Sequence, residues 1–115
     1  MSIKDELKSV YHKRLCIDSL KRTLERDREQ LGIFPEYLAE LEKESMERIA
    51  QEESKLQADL DLINSLENEL QRKVLIEHYY HGYKWDKVAD LLGYSRAYLY
   101  KVHREALKQL ASSIV

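Results

Sequence analysis

A chain of 115 residues, 43% hydrophobic and 35% charged, has room for one small domain, or for a small domain with a long helical extension. Three Gly and one Pro among many Glu, Lys, Leu and Arg residues is the composition of long or bundled helices and excludes a disordered chain. One cysteine, Cys16, excludes an intrachain disulfide, no apolar run reaches the ~18 residues of a membrane span, and no signal peptide opens the sequence, so a soluble cytoplasmic protein is expected.

The net charge of −2 is unevenly spread. Residues 1–30 carry eight Lys/Arg against six Asp/Glu, a balance of +2. Residues 31–70 carry three against eleven, a balance of −8. Residues 71–115 carry eight against four, a balance of +4. A local basic face, rather than the whole-chain value, governs contact with phosphates.

In chain order, Ile3, Leu7, Val10, Ile17, Leu20, Leu24 and Leu31 recur at spacings of three, four and seven, which predicts one amphipathic helix from Ile3 to Leu31. Gly32 marks its C-terminal cap, and Pro35 suits the first turn of the next helix. A second helix is predicted from Glu36 to at least Asp61, with Leu38, Leu41, Ile49, Leu56, Leu60 and Ile63 as its apolar stripe and an acidic outer face. Two narrow stripes make a thin core that is rarely stable alone. Residues 1–63 are therefore expected to form a coiled-coil-like helical hairpin that dimerises or binds a partner.

From Asn64 the pattern changes. Leu66, Leu70, Val74, Leu75 and Tyr79 share a helical face that ends near His81-Gly82. A short helix is predicted over Trp85–Leu92, broken by Gly93, and a longer one from Arg96 to about Leu110, with Ser95 as N-cap. Ala89 supplies the small side chain where the helices cross, and Gly93 the positive φ of the turn. Val88, Leu92, Tyr94, Leu99 and Val102 are expected to lock the two helices, Tyr79 to lie in the core, and Trp85, at the start of the short helix, to pack on the helix before it. Residues 64–115 thus read as a three-helix helix-turn-helix domain, and the fold class as all-α.

Two stretches, from Arg72 to Ser95 and from Val102 to Leu110, carry an R-x-V-L helix, an aromatic-glycine step, an A-x-x-L-G-x-S turn and a closing A-L-x-x-L. This segment resembles region 4 of sigma-70-type factors. With a helical N-terminal part and no segment like sigma region 2, the chain is similar to small phage-encoded regulators of late genes. The resemblance implies that the last helix reads the major groove of promoter DNA.

The outward residues of that helix, Ser95, Arg96, Ala97, Tyr100, Lys101 and Arg104, are the same set whether taken from the resemblance or from the helical period. Arg96 is suited to guanine O6 and N7, and Lys101 to a base edge or a phosphate. Arg104, Lys108 and His103 are expected near the backbone, with Tyr98 and Tyr100 against sugar or phosphate. Lys84 and Lys87 are placed to grip flanking phosphates. Family members often have an acidic residue where this chain has Ala97, which touches a thymine methyl but cannot accept from cytosine N4.

The expected partner is double-stranded DNA, with RNA polymerase as a second candidate, in a homodimer that uses no cofactor or metal. His78 and His81 have a spacing compatible with a metal, but no third ligand accompanies them. No phosphate loop or nucleophile-base pair suggests an enzyme. Two alternatives remain at this point. One is an interaction protein whose sigma-like domain binds polymerase or another regulator without DNA; the other is a phage packaging-type DNA-recognition subunit.

Overall fold

A computed structural model of the chain describes residues 2–114. The fold is all-α: the elements are α1 (Ile3–Lys8), α2 (Val10–Leu31), α3 (Pro35–Asn64), α4 (Glu69–Leu75), a π-helical turn (Ile76–Tyr80), α5 (Trp85–Leu92) and α6 (Arg96–Ile114), with no strand among the described residues. No helix is long and apolar enough to cross a membrane among those residues. The chain divides into two compact units, Met1–Tyr11 with Ala58–Val115, and His12–Gln57. The division does not fall at residue 63: the first eleven residues and the last turns of α3 belong with the helix-turn-helix.

The first helix predicted from the sequence is interrupted at one residue. Ser9 donates its hydroxyl to the Glu6 carbonyl at 2.6 Å, and its N–H bonds the same oxygen at 3.2 Å. A serine that bonds back to its own turn competes with the regular ladder and ends α1 without Gly or Pro. Ser2 caps α1 by accepting from the Asp5 N–H. The apolar stripe survives the interruption, since Leu7 and Val10 are fully buried on either side of it.

In the unit 12–57, α2 and α3 run antiparallel. Arg28 meets Glu42 at 2.7 Å near the tip, and Lys21 meets Glu53 at 2.9 Å further down. Along the same pair of helices lies a thin core of Ile17, Leu24, Ile49 and Leu56. The turn at the tip does not use a left-handed glycine. Gly32 has no positive φ; instead the Phe34 N–H reaches back to the Leu31 carbonyl at 2.9 Å. Pro35 then opens α3, where its missing N–H costs nothing.

In the other unit, Asn68 caps α4 by accepting from the Gln71 N–H at 3.0 Å, and the Arg72 guanidinium donates to the Leu66 carbonyl to close the preceding turn. Helix α4 widens into the π-helical turn, where the His81 N–H reaches the Ile76 carbonyl at 3.0 Å. Gly82 follows with φ +74°, and an added Cβ there would lie 2.6 Å from the Tyr11 ring. Only glycine suits both the backbone angle and that close approach. Helices α1, α4 and α5 all pack on α6. The centre is Val74, Val88, Leu99 and Val102, surrounded by Leu70, Tyr83, Trp85, Ala89 and Leu92.

Candidate nucleic-acid interface

The helix-turn-helix forms where the turn chemistry calls for it. Helix α5 ends at Gly93, whose φ of +77° lies in the left-handed region and whose N–H bonds the Ala89 carbonyl at 2.9 Å. Two residues on, the Ser95 hydroxyl accepts from the Tyr98 N–H at 3.2 Å and starts α6. With Leu99, Val102, Ala106 and Leu110 buried, the helical period turns Ala97, Lys101, Arg104 and Lys108 outward in one row. That row spans twelve residues, about 16 Å over its eleven rises of 1.5 Å.

Nine residues expected at the interface are exposed: Lys84 and Lys87 at the start of α5, and Ser95, Arg96, Ala97, Tyr100, Lys101, Arg104 and Lys108 around α6. Lys84, Lys101, Arg104 and Lys108 make no ion pair among the described residues. Arg96 does: its Nη1 lies 2.9 Å from Oδ1 of Asp86. Lys87 holds its ammonium 4.1 Å from the centre of the Tyr83 ring. Tyr100 meets the edge of Trp85 at 5.2 Å. Its ring is therefore steered, although the residue is 44% exposed.

Two aromatic expectations need correction. Tyr94 does not fill the core: it is 47% exposed and packs against Tyr98 at 5.2 Å. The left-handed Gly93 turns the chain so that the following residue points away from the helix crossing, and Leu92 and Ala89 fill the space instead. His103 does not face the backbone of a duplex. It is half-buried, its Nε2 lies 2.6 Å from the Tyr79 hydroxyl, and its ring meets Trp85 edge-on at 5.0 Å. It sits on the flank of α6 that the π-helical turn covers, so its neighbours are aromatic.

Burial lowers the His103 pKa to about 4, and the nearby His78 and Lys4 charges push the same way. Burial raises the Tyr79 hydroxyl to about 12. The pair is therefore neutral at physiological pH, and it belongs to the scaffold. His78 stacks on Trp85 at 4.2 Å, and its Nδ1 lies 2.8 Å from the Tyr83 carbonyl, which fixes the proton on that nitrogen. His81 stacks instead on Tyr83 at 5.5 Å. The Trp85 ring thus packs against the element before it, as its position in the motif predicted.

Sequence reasoning missed Asp86 as a neighbour of Arg96. Ten residues and a turn separate them, and no periodicity within one helix connects them. The likeness to a helix-turn-helix carried the needed signal, because that layout brings the first turn of the first helix beside the start of the second.

The fold and this face define an all-helical protein with a helix-turn-helix and an exposed basic row. The chain belongs to the DUF1492 family, described as a protein of unknown function, whose profile matches residues 25–111. No curated protein and no solved structure matches the chain.

Proposed function

We propose that the chain is a sequence-selective DNA-binding regulator of transcription that lays α6 in the major groove. One observation carries the reading: Ala97, Lys101, Arg104 and Lys108 form an exposed row on the helix that follows the Gly93 turn, while its other face is buried in the domain. A helix is about as wide as the major groove, and a basic row with a small residue near its leading end permits close approach. The +4 balance of residues 71–115 supports phosphate contact. The likeness to sigma-70 region 4 and to small phage-encoded late-gene regulators supports the same docking and a cytoplasmic setting, without enzymatic activity or a cofactor.

In this mechanism Lys84 and Lys87 hold flanking phosphates, as do Arg104 and Lys108, and Arg96 and Lys101 meet base edges. Ser95 keeps the leading turn of α6 capped while Tyr100 packs on sugar. The thin hairpin joins two copies, so the DNA would carry two half-sites.

Enrichment of random duplexes by the full-length protein tests the reading. A preferred sequence should emerge, with binding that weakens steeply as salt rises. Arg96→Ala should lower discrimination at the preferred site by about 1–3 kcal/mol, whereas Lys87→Ala should weaken all duplexes alike. Equal loss from both substitutions on preferred and random DNA would contradict the division of roles.

A second reading has its own observation. Ile33, Phe34 and Tyr37 at the hairpin tip are 80%, 56% and 59% exposed, an apolar cluster of the kind that contacts proteins. A chain that bound purified RNA polymerase through this tip and no duplex with preference would be an interaction protein.

A further inference from the structure

Asp86 and Arg96 approach each other across the turn, one from the first turn of α5 and the other from the first position of α6. Nη1 of Arg96 lies 2.9 Å from Oδ1 of Asp86, and the two side chains are 59% and 79% exposed. A pair so open to water contributes little to folding. The carboxylate is also an unfavourable choice on a surface that merely grips phosphate. It stands in the same first turn as Lys87, two residues from the Lys84 cap, and its charge opposes theirs.

We propose that Asp86 is a positioning residue that aims the Arg96 guanidinium at a guanine and withholds it from phosphates. The inference rests on the DNA-reading function above and names a specificity determinant within it. A guanidinium carries five N–H donors in one plane. End-on contact with guanine O6 and N7 uses two of them and leaves another for the carboxylate, so the ion pair and the base contact coexist. A phosphate gains the same donors without regard to sequence, and Asp86 repels it. Ala97, the next residue of α6, presents only a methyl group, so no neighbouring side chain competes for the base edges beneath that turn. Asp86 therefore lowers affinity for random DNA while it raises preference for the cognate site.

The test uses the full-length wild type, Asp86→Asn, Arg96→Ala and the double variant. The probes are the duplex enriched by the wild type, its single-base-pair variants and a random-sequence duplex. Asp86→Asn should bind the random duplex several-fold more tightly, and preference for guanine should fall tenfold or more at one base pair only. Added to Arg96→Ala, it should leave that preference where Arg96→Ala alone puts it. Thermal unfolding of Asp86→Asn should match the wild type.

Three outcomes would overturn the proposal. Uniform tightening on every duplex with the preference intact would make Asp86 a simple repulsive charge. Uniform weakening with a lower melting temperature would make it a helix-start residue only. No change on any duplex would leave the pair without a role. In each of these cases a selective wild type keeps the DNA-reading function; a wild type that selects no sequence removes both.

Discussion

The unit 12–57 and the unit that contains the helix-turn-helix are built from similar amphipathic helices but bury them differently. The largest fully buried side chains are Leu7, Val10, Ile63, Val74, Leu75, Val88, Leu99 and Leu110, and all belong to the helix-turn-helix unit. In the hairpin, Ile17, Leu24, Ile49 and Leu56 each keep 5–9% of their surface in solvent, and Leu15 and Met46 are openly exposed. Two helices can cover only one side of each other, whereas α1, α4 and α5 pack around α6 from three sides. The difference bears on the basic row of α6: a helix gripped from three directions holds its outward side chains in fixed places.

The sharpest way to break the comparison is truncation in each core. Leu99→Ala should cost about 2–5 kcal/mol in denaturant unfolding, independent of protein concentration. Leu56→Ala should cost about 1–2 kcal/mol, because its site already borders water. If the hairpin joins two copies, the Leu56→Ala cost will vary with protein concentration while the Leu99→Ala cost will not. Equal, concentration-independent costs would remove the contrast.

The two left-handed glycines of the helix-turn-helix unit, Gly82 and Gly93, sharpen it further. Gly82→Ala meets both an unfavourable φ and the Tyr11 ring, and should cost about 2–3 kcal/mol. Gly93→Ala has the same φ strain but nothing within 4 Å of the new Cβ, and should cost about 1 kcal/mol. Thermal melts of the two variants should rank in that order.

His103 supplies a pH dependence confined to the same unit. Its folded pKa of about 4 lies below the ordinary value of 6.5, so the unfolded chain takes up its proton first. The neutral ring costs no stability above pH 6.5; stability falls as pH drops from 6.5 toward 4, then levels off for this group. Allowing for its partial exposure, the loss should be about 1–2 kcal/mol. His103→Gln, compared with the wild type at pH 7.5 and 4.5, should remove that part of the acid sensitivity and leave the carboxylate part. The smallest effect belongs to the hairpin surface: Arg28→Ala breaks an exposed pair with Glu42 and should change stability by less than about 1 kcal/mol, less still at high salt.

Much of the candidate site was legible because its determinants are local. The bounds of α5 follow from Trp85, Gly93 and the apolar places between them, and the start of α6 from the Ser95 hydroxyl. Which side chains of α6 face outward follows from the 3.6-residue period once Leu99, Val102, Ala106 and Leu110 are taken as core. The period does not say what covers the flanks. His103 and Tyr94 were misjudged for that reason: one lies against the π-helical turn, and the other beyond a glycine that redirects the chain.

The sequence alone determined the helical class, the hairpin, the turn at Gly93 and the basic row, because hydrophobic spacing, caps and left-handed glycines act within a few residues of the chain. Only the tertiary structure decided that the first eleven residues join the helix-turn-helix unit, that His103 is held by Tyr79, and that Arg96 leans on Asp86. Each of these joins residues from different elements, and such contacts depend on how helices pack rather than on how any one of them is written.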